Sequence, residues 1–326
     1  MHFLLLLTSL TPVFARSITN STCKPTCSWP GFSNIKHAFV FGDSYTQTGF
    51  NTTLTPPSPS NPMGNPPYPG WTSSNGPNWI DYLTTTYNRS TLLTYNLAYG
   101  GATIDASLVA PYQPSVLSVS DQVRTLWKPA YAGKPFWKGS DSVFLFWDGV
   151  NDVGNSWWMD VESLYTKIFE VYKKLVEELY VDGARNFAFL NTPPVERSPL
   201  ASANDAWSIA TERDAIGVWN RKLGEMAAQL KTEHGEANVW VTDTNALFNK
   251  VLDDPGVYSQ TRGLRNTTGY CADYQNGTPK QDTFIESCGV PVNQYFWLNS
   301  LHPTSAMQEV VAWGVGRDLE GPPGVC

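Results

Sequence analysis

The chain has 326 residues, 41% of them hydrophobic, 13% aromatic and only 16% charged. That composition supports a sizeable core and excludes an intrinsically disordered chain. A net charge of −7 and an isoelectric point near 5.1 argue against nucleic acid or an anionic membrane surface as a partner.

Residues 1–15 are almost all apolar and close on Val13-Phe14-Ala15, with small residues at the cleavage positions. They read as a secretory signal peptide, too short to span a bilayer. A mature chain would then begin at Arg16, with residues 16–36 as an N-terminal arm and 37–326 as one domain. No other segment has the length and apolarity of a membrane span, so the expected product is secreted and extracellular. Asn20, Asn51, Asn88, Asn266 and Asn276 each open an Asn-X-Ser/Thr sequon without proline, which suits glycosylated surface loops of a secreted protein. The cysteines are Cys23, Cys27, Cys271, Cys288 and Cys326, and in an oxidising compartment disulfides are their expected use. Cys271 and Cys288 flank a polar, glycosylatable stretch and are expected to pair. Cys23 or Cys27 can clasp Cys326.

The first strand is expected over His37–Ser44, an apolar run that breaks into Gly42-Asp43-Ser44. Such a strand delivers a serine to the turn at its carboxyl end. Residues 50–77 are dense in Pro, Asn, Gly and Ser, contain Tyr68 and Trp71, and read as a long loop; loops of that length in a compact domain are usually functional. Helical spacing resumes at Trp79, Ile80, Tyr82 and Leu83. Strand two is expected over Leu93–Ala98, ending in Tyr99-Gly100-Gly101, and a helix over Val116–Tyr131. Strand three, Asp141–Trp147, ends in Asp148-Gly149-Val150-Asn151-Asp152. A helix over Val161–Tyr180 carries Leu164, Ile168, Val171, Leu175 and Leu179 on one face, with Gly183 as its stop. Strand four is Phe187–Leu190, then a helix over Ala206–His234, strand five over Asn238–Val241 and a short helix near Ala246–Leu252. A loop-rich excursion follows, Gly256–Asn293. Pro303 can sit in the first turn of a closing helix that reaches about Gly314.

Strands of buried type alternating with helices predict an α/β fold whose parallel sheet is covered on both faces. Ligands bind at the carboxyl ends of such strands, where the Gly42-Asp43-Ser44, Gly100-Gly101 and Gly149–Asp152 turns converge. A serine, a glycine N–H and an asparagine amide there make a nucleophile with oxyanion donors, each donor worth roughly 2.7–4 kcal/mol in the transition state. A serine nucleophile needs a base. His2 leaves with the signal, His37 sits at the far end of its strand and His234 ends a charged helix. His302, in Asn299-Ser300-Leu301-His302-Pro303, is left.

Gly42-Asp43-Ser44, Asn96-Leu97-Ala98-Tyr99-Gly100-Gly101-Ala102-Thr103, Gly149-Val150-Asn151-Asp152 and the segment ending at His302 resemble, in order, blocks one, two, three and five of the SGNH, or GDSL-type, hydrolases. Within that superfamily the chain most resembles secreted fungal acetylesterases of carbohydrate esterase family 16, through Ser74-Asn75-Gly76-Pro77-Asn78-Trp79 and Asn191-Thr192-Pro193-Pro194-Val195-Glu196-Arg197-Ser198-Pro199. The resemblance implies a three-layer αβα sandwich on a five-stranded parallel sheet, flavodoxin-like, with no metal or organic cofactor. It implies Ser44 as nucleophile, His302 as base, and Ser44 N–H, Gly101 N–H and the Asn151 side chain as the oxyanion hole. Tyr45, Tyr68, Trp71 and Trp147 are candidate substrate contacts. The expected reaction is hydrolysis of a short-chain, acetyl, ester on a plant cell-wall sugar or oligosaccharide through an acyl-enzyme, by a monomer. A GDSL-type lipase or broad short-chain esterase, and a sugar-binding protein on the same scaffold, are the alternatives.

Three positions depart from the family pattern. Tyr45 follows the serine where leucine is usual. Thr46 replaces the second glycine of Gly-X-Ser-X-Gly, which counts against an α/β-hydrolase elbow. Asn299 stands where the family has aspartate, the residue that orients the imidazole and stabilises its cation. A neutral amide oxygen can still accept from Nδ1–H, but it supplies no charge. Asn299 is also the only feature that favours the non-catalytic alternative.

Overall fold

The computed structural model describes residues 29–323. The expected signal peptide, most of the expected N-terminal arm, Asn20, Cys23, Cys27 and Cys326 lie outside the described residues. Five parallel strands form one sheet: β1 (His37–Gly42), β2 (Leu93–Asn96), β3 (Ser142–Trp147), β4 (Asn186–Leu190) and β5 (Asn238–Thr242). Their spatial order is β2-β1-β3-β4-β5. The chain therefore moves outward on one side of β1 and then crosses to the other. The crevice that such a reversal opens lies at the carboxyl ends of β1 and its neighbours.

Every residue of β1, β3 and β4 is buried, as both faces of a parallel sheet require. One face is a layer of phenylalanines. Phe41 stacks on Phe146 and Phe146 on Phe189, while Phe39 leans on Phe144. Against it pack α5 (Val161–Val181) through Tyr172, and Trp127, which closes a helical segment described below. α6 (Ala206–Glu233) completes this layer beside α5. The other face carries Trp147, whose ring meets Trp79 of α1 (Trp79–Thr85) and Phe248 of α7 (Thr244–Asp253). The closing helix α8 (Ser305–Glu320) lies there against α1 and α7. The result is a three-layer αβα sandwich. Among the described residues no helix is long and apolar enough to cross a membrane.

The core stripe of α5 is Tyr165, Ile168, Phe169, Tyr172, Leu175, Val176 and Leu179. Leu164 and Val171, expected on that face, flank it half-buried. The helix expected over Val116–Tyr131 is three pieces. Ser118 caps α2 (Val119–Asp121) in a reciprocal capping box with Asp121, a π-helical turn covers Gln122–Trp127, and α3 (Lys128–Tyr131) follows. Pro129 explains the widening, because its ring excludes the carbonyl one turn back and supplies no N–H. Pro303 does not enter α8. It bridges to Trp297, Thr304 takes the N-cap position, and the helix runs six residues past the expected Gly314 to Glu320. A short helix after β3, α4 (Val150–Gly154), was not expected; five residues are too few to show a helical period.

The excursion over 256–293 holds only short 3-10 turns. Cys271 and Cys288 are disulfide-bonded as expected. They belong to a second small core with Tyr274, Val292, Tyr295 and Leu298, which supports the chain leading to His302.

Candidate active site

Ser44 lies in the turn after β1, and that turn is held from several sides. Gly42 has no room for a side chain, since a Cβ there would stand 2.9 Å from both the Thr46 hydroxyl and the Trp147 carbonyl. The Gln122 amide from the π-helical turn clamps Gly42, accepting its N–H at 3.0 Å and donating to its carbonyl at 2.9 Å. The Thr46 carbonyl accepts from the side-chain amides of Asn78, the N-cap of α1, and Asn96, the last residue of β2. The Trp79 indole donates to the Thr46 hydroxyl at 3.0 Å. Thr46 thus serves as a polar anchor where an elbow would need a second glycine.

His302 sits at the end of a tight turn closed by the Leu298 N–H donating to its carbonyl. Its Nε2 lies 2.8 Å from Ser44 Oγ and its Nδ1 lies 3.0 Å from Asn299 Oδ1. Asn299 Oδ1 also accepts the Leu301 and His302 backbone N–H groups, at 3.0 and 2.9 Å. Those two bonds decide which way the amide faces, because the NH2 end would oppose two donors. Asn299 therefore receives Nδ1–H and leaves the Nε2 lone pair for the serine. This is the tautomer that general-base chemistry needs. Burial pushes the His302 pKa down to about 4, and among the described residues no carboxylate acts to raise it.

The second turn brings Gly101 beside the serine. A Cβ on its neighbour Gly100 would lie 3.8 Å from Ser44 Cβ, and the Gly100 N–H is taken by Gln47 Oε1. Gly101 has φ +84°, and a Cβ there would stand 2.3 Å from the ring of Tyr112. Only glycine takes that conformation in that space. Among the described residues neither the Gly101 nor the Ser44 N–H donates to a protein acceptor. From α4, the Asn151 amide spans both turns, reaching the Ala102 carbonyl at 2.9 Å and Asp43 Oδ2 at 3.3 Å. The three candidate oxyanion donors thus come from three different strand ends, with Asn151 bonded to Asp43, the residue before Ser44.

Beneath the turns lie three buried carboxyls. Asp43 accepts the Tyr45 N–H at 2.9 Å, and burial raises its pKa to about 7. Asp152 accepts the Ile104 N–H with both oxygens, and burial raises it to about 8. Asp148, with neither oxygen hydrogen-bonded, is pushed well above the ordinary carboxylate range by burial and by its two neighbours.

The candidate substrate contacts divide. Tyr45 and Trp147 are each 1% exposed and belong to the core, which corrects the expectation that they touch substrate. The Tyr45 hydroxyl donates to the Leu301 carbonyl at 2.6 Å, tying the serine turn to the histidine turn, and the Trp147 indole donates to the Asn191 carbonyl. Trp71 is 71% exposed and lines an open cleft of about 520 Å3 beside His302. Tyr68 is exposed but does not line that cleft. Gln122, Gln47 and Tyr112 were not singled out from the sequence; isolated polar or aromatic residues in loops and helices carry no motif.

Residues 39–315 match the model of the GDSL-like lipase/acylhydrolase family. The chain belongs to that family. It is 39% identical to an acetylesterase of Thermothelomyces thermophilus over 295 residues, 88% of this chain and 89% of that one. It is 27% identical to a phosphatidylcholine-sterol acyltransferase of Aeromonas hydrophila over 247 residues, 75% of this chain and 67% of that one. Among solved structures it is similar to an acetyl xylan esterase from Geobacillus stearothermophilus, with a TM-score of 0.48 and 15% identity over 88% of this chain and 96% of that one. As a GDSL-type protein with an acetylesterase relative along most of its length, the chain is a carboxylic ester hydrolase.

Proposed function

We propose that this ester hydrolase is a secreted acetylesterase acting on sugars or oligosaccharides, with Ser44 as its nucleophile. Ser44 Oγ attacks the ester carbonyl while His302 Nε2 takes the hydroxyl proton. The oxyanion is received by the Ser44 and Gly101 N–H groups and the Asn151 amide. The imidazolium then gives its proton to the departing alkoxide, leaving the acyl group on Ser44. Water, deprotonated by the same nitrogen, releases the acid. Asn299 holds Nδ1–H throughout and contributes no charge. The observation that carries this reading is the chain of contacts from Ser44 Oγ to His302 Nε2 and from His302 Nδ1 to Asn299 Oδ1, at 2.8 and 3.0 Å.

The departing alcohol takes its proton from His302 and so leaves on the histidine side, where the cleft lies. The cleft walls are mostly polar, with Asn75, Gln275, Asn276, Lys280 and Gln281, and Trp71 presents an aromatic face. Polar side chains with one aromatic ring suit a sugar better than a lipid alcohol. The acetylesterase relative and the resemblance to carbohydrate esterase family 16 favour an acetyl group. Asn276, a sequon residue, lines the same cleft, so a glycan there would stand at its mouth.

An active-site-directed fluorophosphonate tests the nucleophile. Labelling of the wild type that disappears in Ser44→Ala supports the reading, and an unlabelled wild type overturns it. Product analysis on acetylated xylo-oligosaccharides, beside a series of p-nitrophenyl esters, tests the substrate.

A further inference from the structure

The cleft beside His302 accounts for the alcohol, but Gly101, Asn151 and Tyr112 do not line it. Ser44 does not line it either, so the cleft covers the histidine side of the nucleophile, while the glycine turn borders another side, where a Cβ on Gly100 would lie 3.8 Å from Ser44 Cβ. Tyr112 is 71% exposed, and its hydroxyl reaches only the adjacent Gln113 amide, at 3.3 Å. Folding stability gives no reason for so exposed a ring. Its carbons nevertheless lie against Gly101, with Cε1 and Cδ1 at 2.3 and 2.6 Å from where a Cβ would be.

The ring is also held there by its loop. Pro111 and Pro114 bracket it in sequence and restrict the backbone. The Thr103 hydroxyl donates to the Val109 carbonyl at 2.9 Å. The Asn155 amide donates to the Ala110 carbonyl at 3.3 Å, and Asn155 is the C-cap of α4, four residues after Asn151. The loop that carries Tyr112 is thus pinned to the two turns that supply the oxyanion donors.

We propose that Tyr112 is the specificity-determining residue for acyl length, its ring closing the acyl side of the site to chains much longer than acetyl. The inference rests on the acetylesterase reading above. A pocket wall discriminates by about 10–200-fold per methylene it admits or refuses, so the effect is measurable.

The experiment compares kcat/KM for p-nitrophenyl acetate, butyrate and octanoate in the wild type, Tyr112→Ala, Tyr112→Phe and Tyr112→Trp. Tyr112→Ala is expected to raise the octanoate-to-acetate ratio about tenfold or more, the ratio and not the acetate rate being the readout. Tyr112→Phe, which keeps the ring, is expected to keep the wild-type ratio. Tyr112→Trp is expected to lower the butyrate-to-acetate ratio, and it decides the matter if the alanine variant does not fold. Unchanged ratios in the alanine and tryptophan variants overturn the inference. An equal fall for all three esters also overturns it, by making Tyr112 a support of the Gly101 turn alone. A wild type that prefers octanoate to acetate instead overturns the acetylesterase reading on which the inference stands.

Discussion

Replacing Asn299 with aspartate tests the feature that sets this site apart from its family pattern. The carboxylate would keep an acceptor for Nδ1–H and for the Leu301 and His302 N–H groups, so the turn keeps its geometry. Only the contact from Asn299 Nδ2 to the Gln275 carbonyl, 3.5 Å long, is lost. A negative charge about 3 Å from the imidazole favours the imidazolium and raises its pKa by about 1–3 units. The starting value is about 4, so the acid limb of kcat/KM should move up to about pH 5–7. A shift of about two units would leave roughly one-tenth of the His302 rings neutral at pH 5, against roughly nine-tenths in the wild type. At pH 5 the variant should therefore be about ninefold slower, while at pH 8 the two should agree within tenfold. The assay is a pH-stat measurement of kcat/KM on an acetyl ester from pH 3.5 to 9. An acid limb that does not move would refute the assignment of Asn299 as the partner of His302. A gain of several orders of magnitude at pH 8 would show that the asparagine impairs the site.

Tyr45→Phe removes the bond from the serine turn to the Leu301 carbonyl; it should cost about 1–2 kcal/mol of stability and lower kcat less than tenfold, and an unchanged melting curve would count against the tether. Thermal stability should fall as pH rises from about 5 to 8. Asp43 and Asp152 hold their protons in the fold to about pH 7 and 8 against an ordinary aspartate value of 3.8, so the unfolded chain binds fewer protons across that window. His302, lowered from 6.5 to about 4, opposes this only as pH falls below about 6.5. A melting temperature that climbs between pH 5 and 8 would contradict the burial of these carboxyls.

The strands and the converging turns were legible because a parallel sheet buries both faces, and β1 and β3 show this as unbroken apolar runs. Ser44 and His302 emerged by position and elimination, and the family blocks supplied Gly101 and Asn151. What could not be read was orientation. Tyr45 and Trp147 sit in turns and strand ends rich in catalytic neighbours, yet their rings point into the core; an aromatic residue at a strand end carries no mark of which side it takes. Gln122 opens a π-helical turn and clamps Gly42 from it, a tertiary arrangement on a sequence that otherwise reads as plain helix. The facing of the Asn299 amide was undetermined from sequence for a similar reason. Two backbone N–H groups of its own turn decide it, and they exist only once Leu298 and His302 close that turn.

Asp43 extends the same electrostatic logic to the oxyanion hole. Its Oδ2 lies 3.3 Å from the Asn151 Nδ2 that the proposed mechanism directs at the substrate oxygen. An Asn amide has two hydrogens, and one is engaged by the Ala102 carbonyl at 2.9 Å. The other is shared between Asp43 and the incoming oxyanion. While Asp43 is protonated it is a weak competitor for that hydrogen. Once ionised it becomes a strong one, and it sets a negative charge beside the oxygen where negative charge must develop. Its pKa of about 7 therefore places an alkaline limb on kcat near neutrality, separate from the acid limb set by His302 near pH 4. Asn299 and Asp43 then shape one working range from its two sides. A neutral partner keeps the base available in acid, and a buried carboxyl keeps the oxyanion donor free until neutral pH. A wild-type kcat that stays flat from pH 7 to 9 would show that Asn151 keeps its hydrogen for the substrate whatever the charge on Asp43.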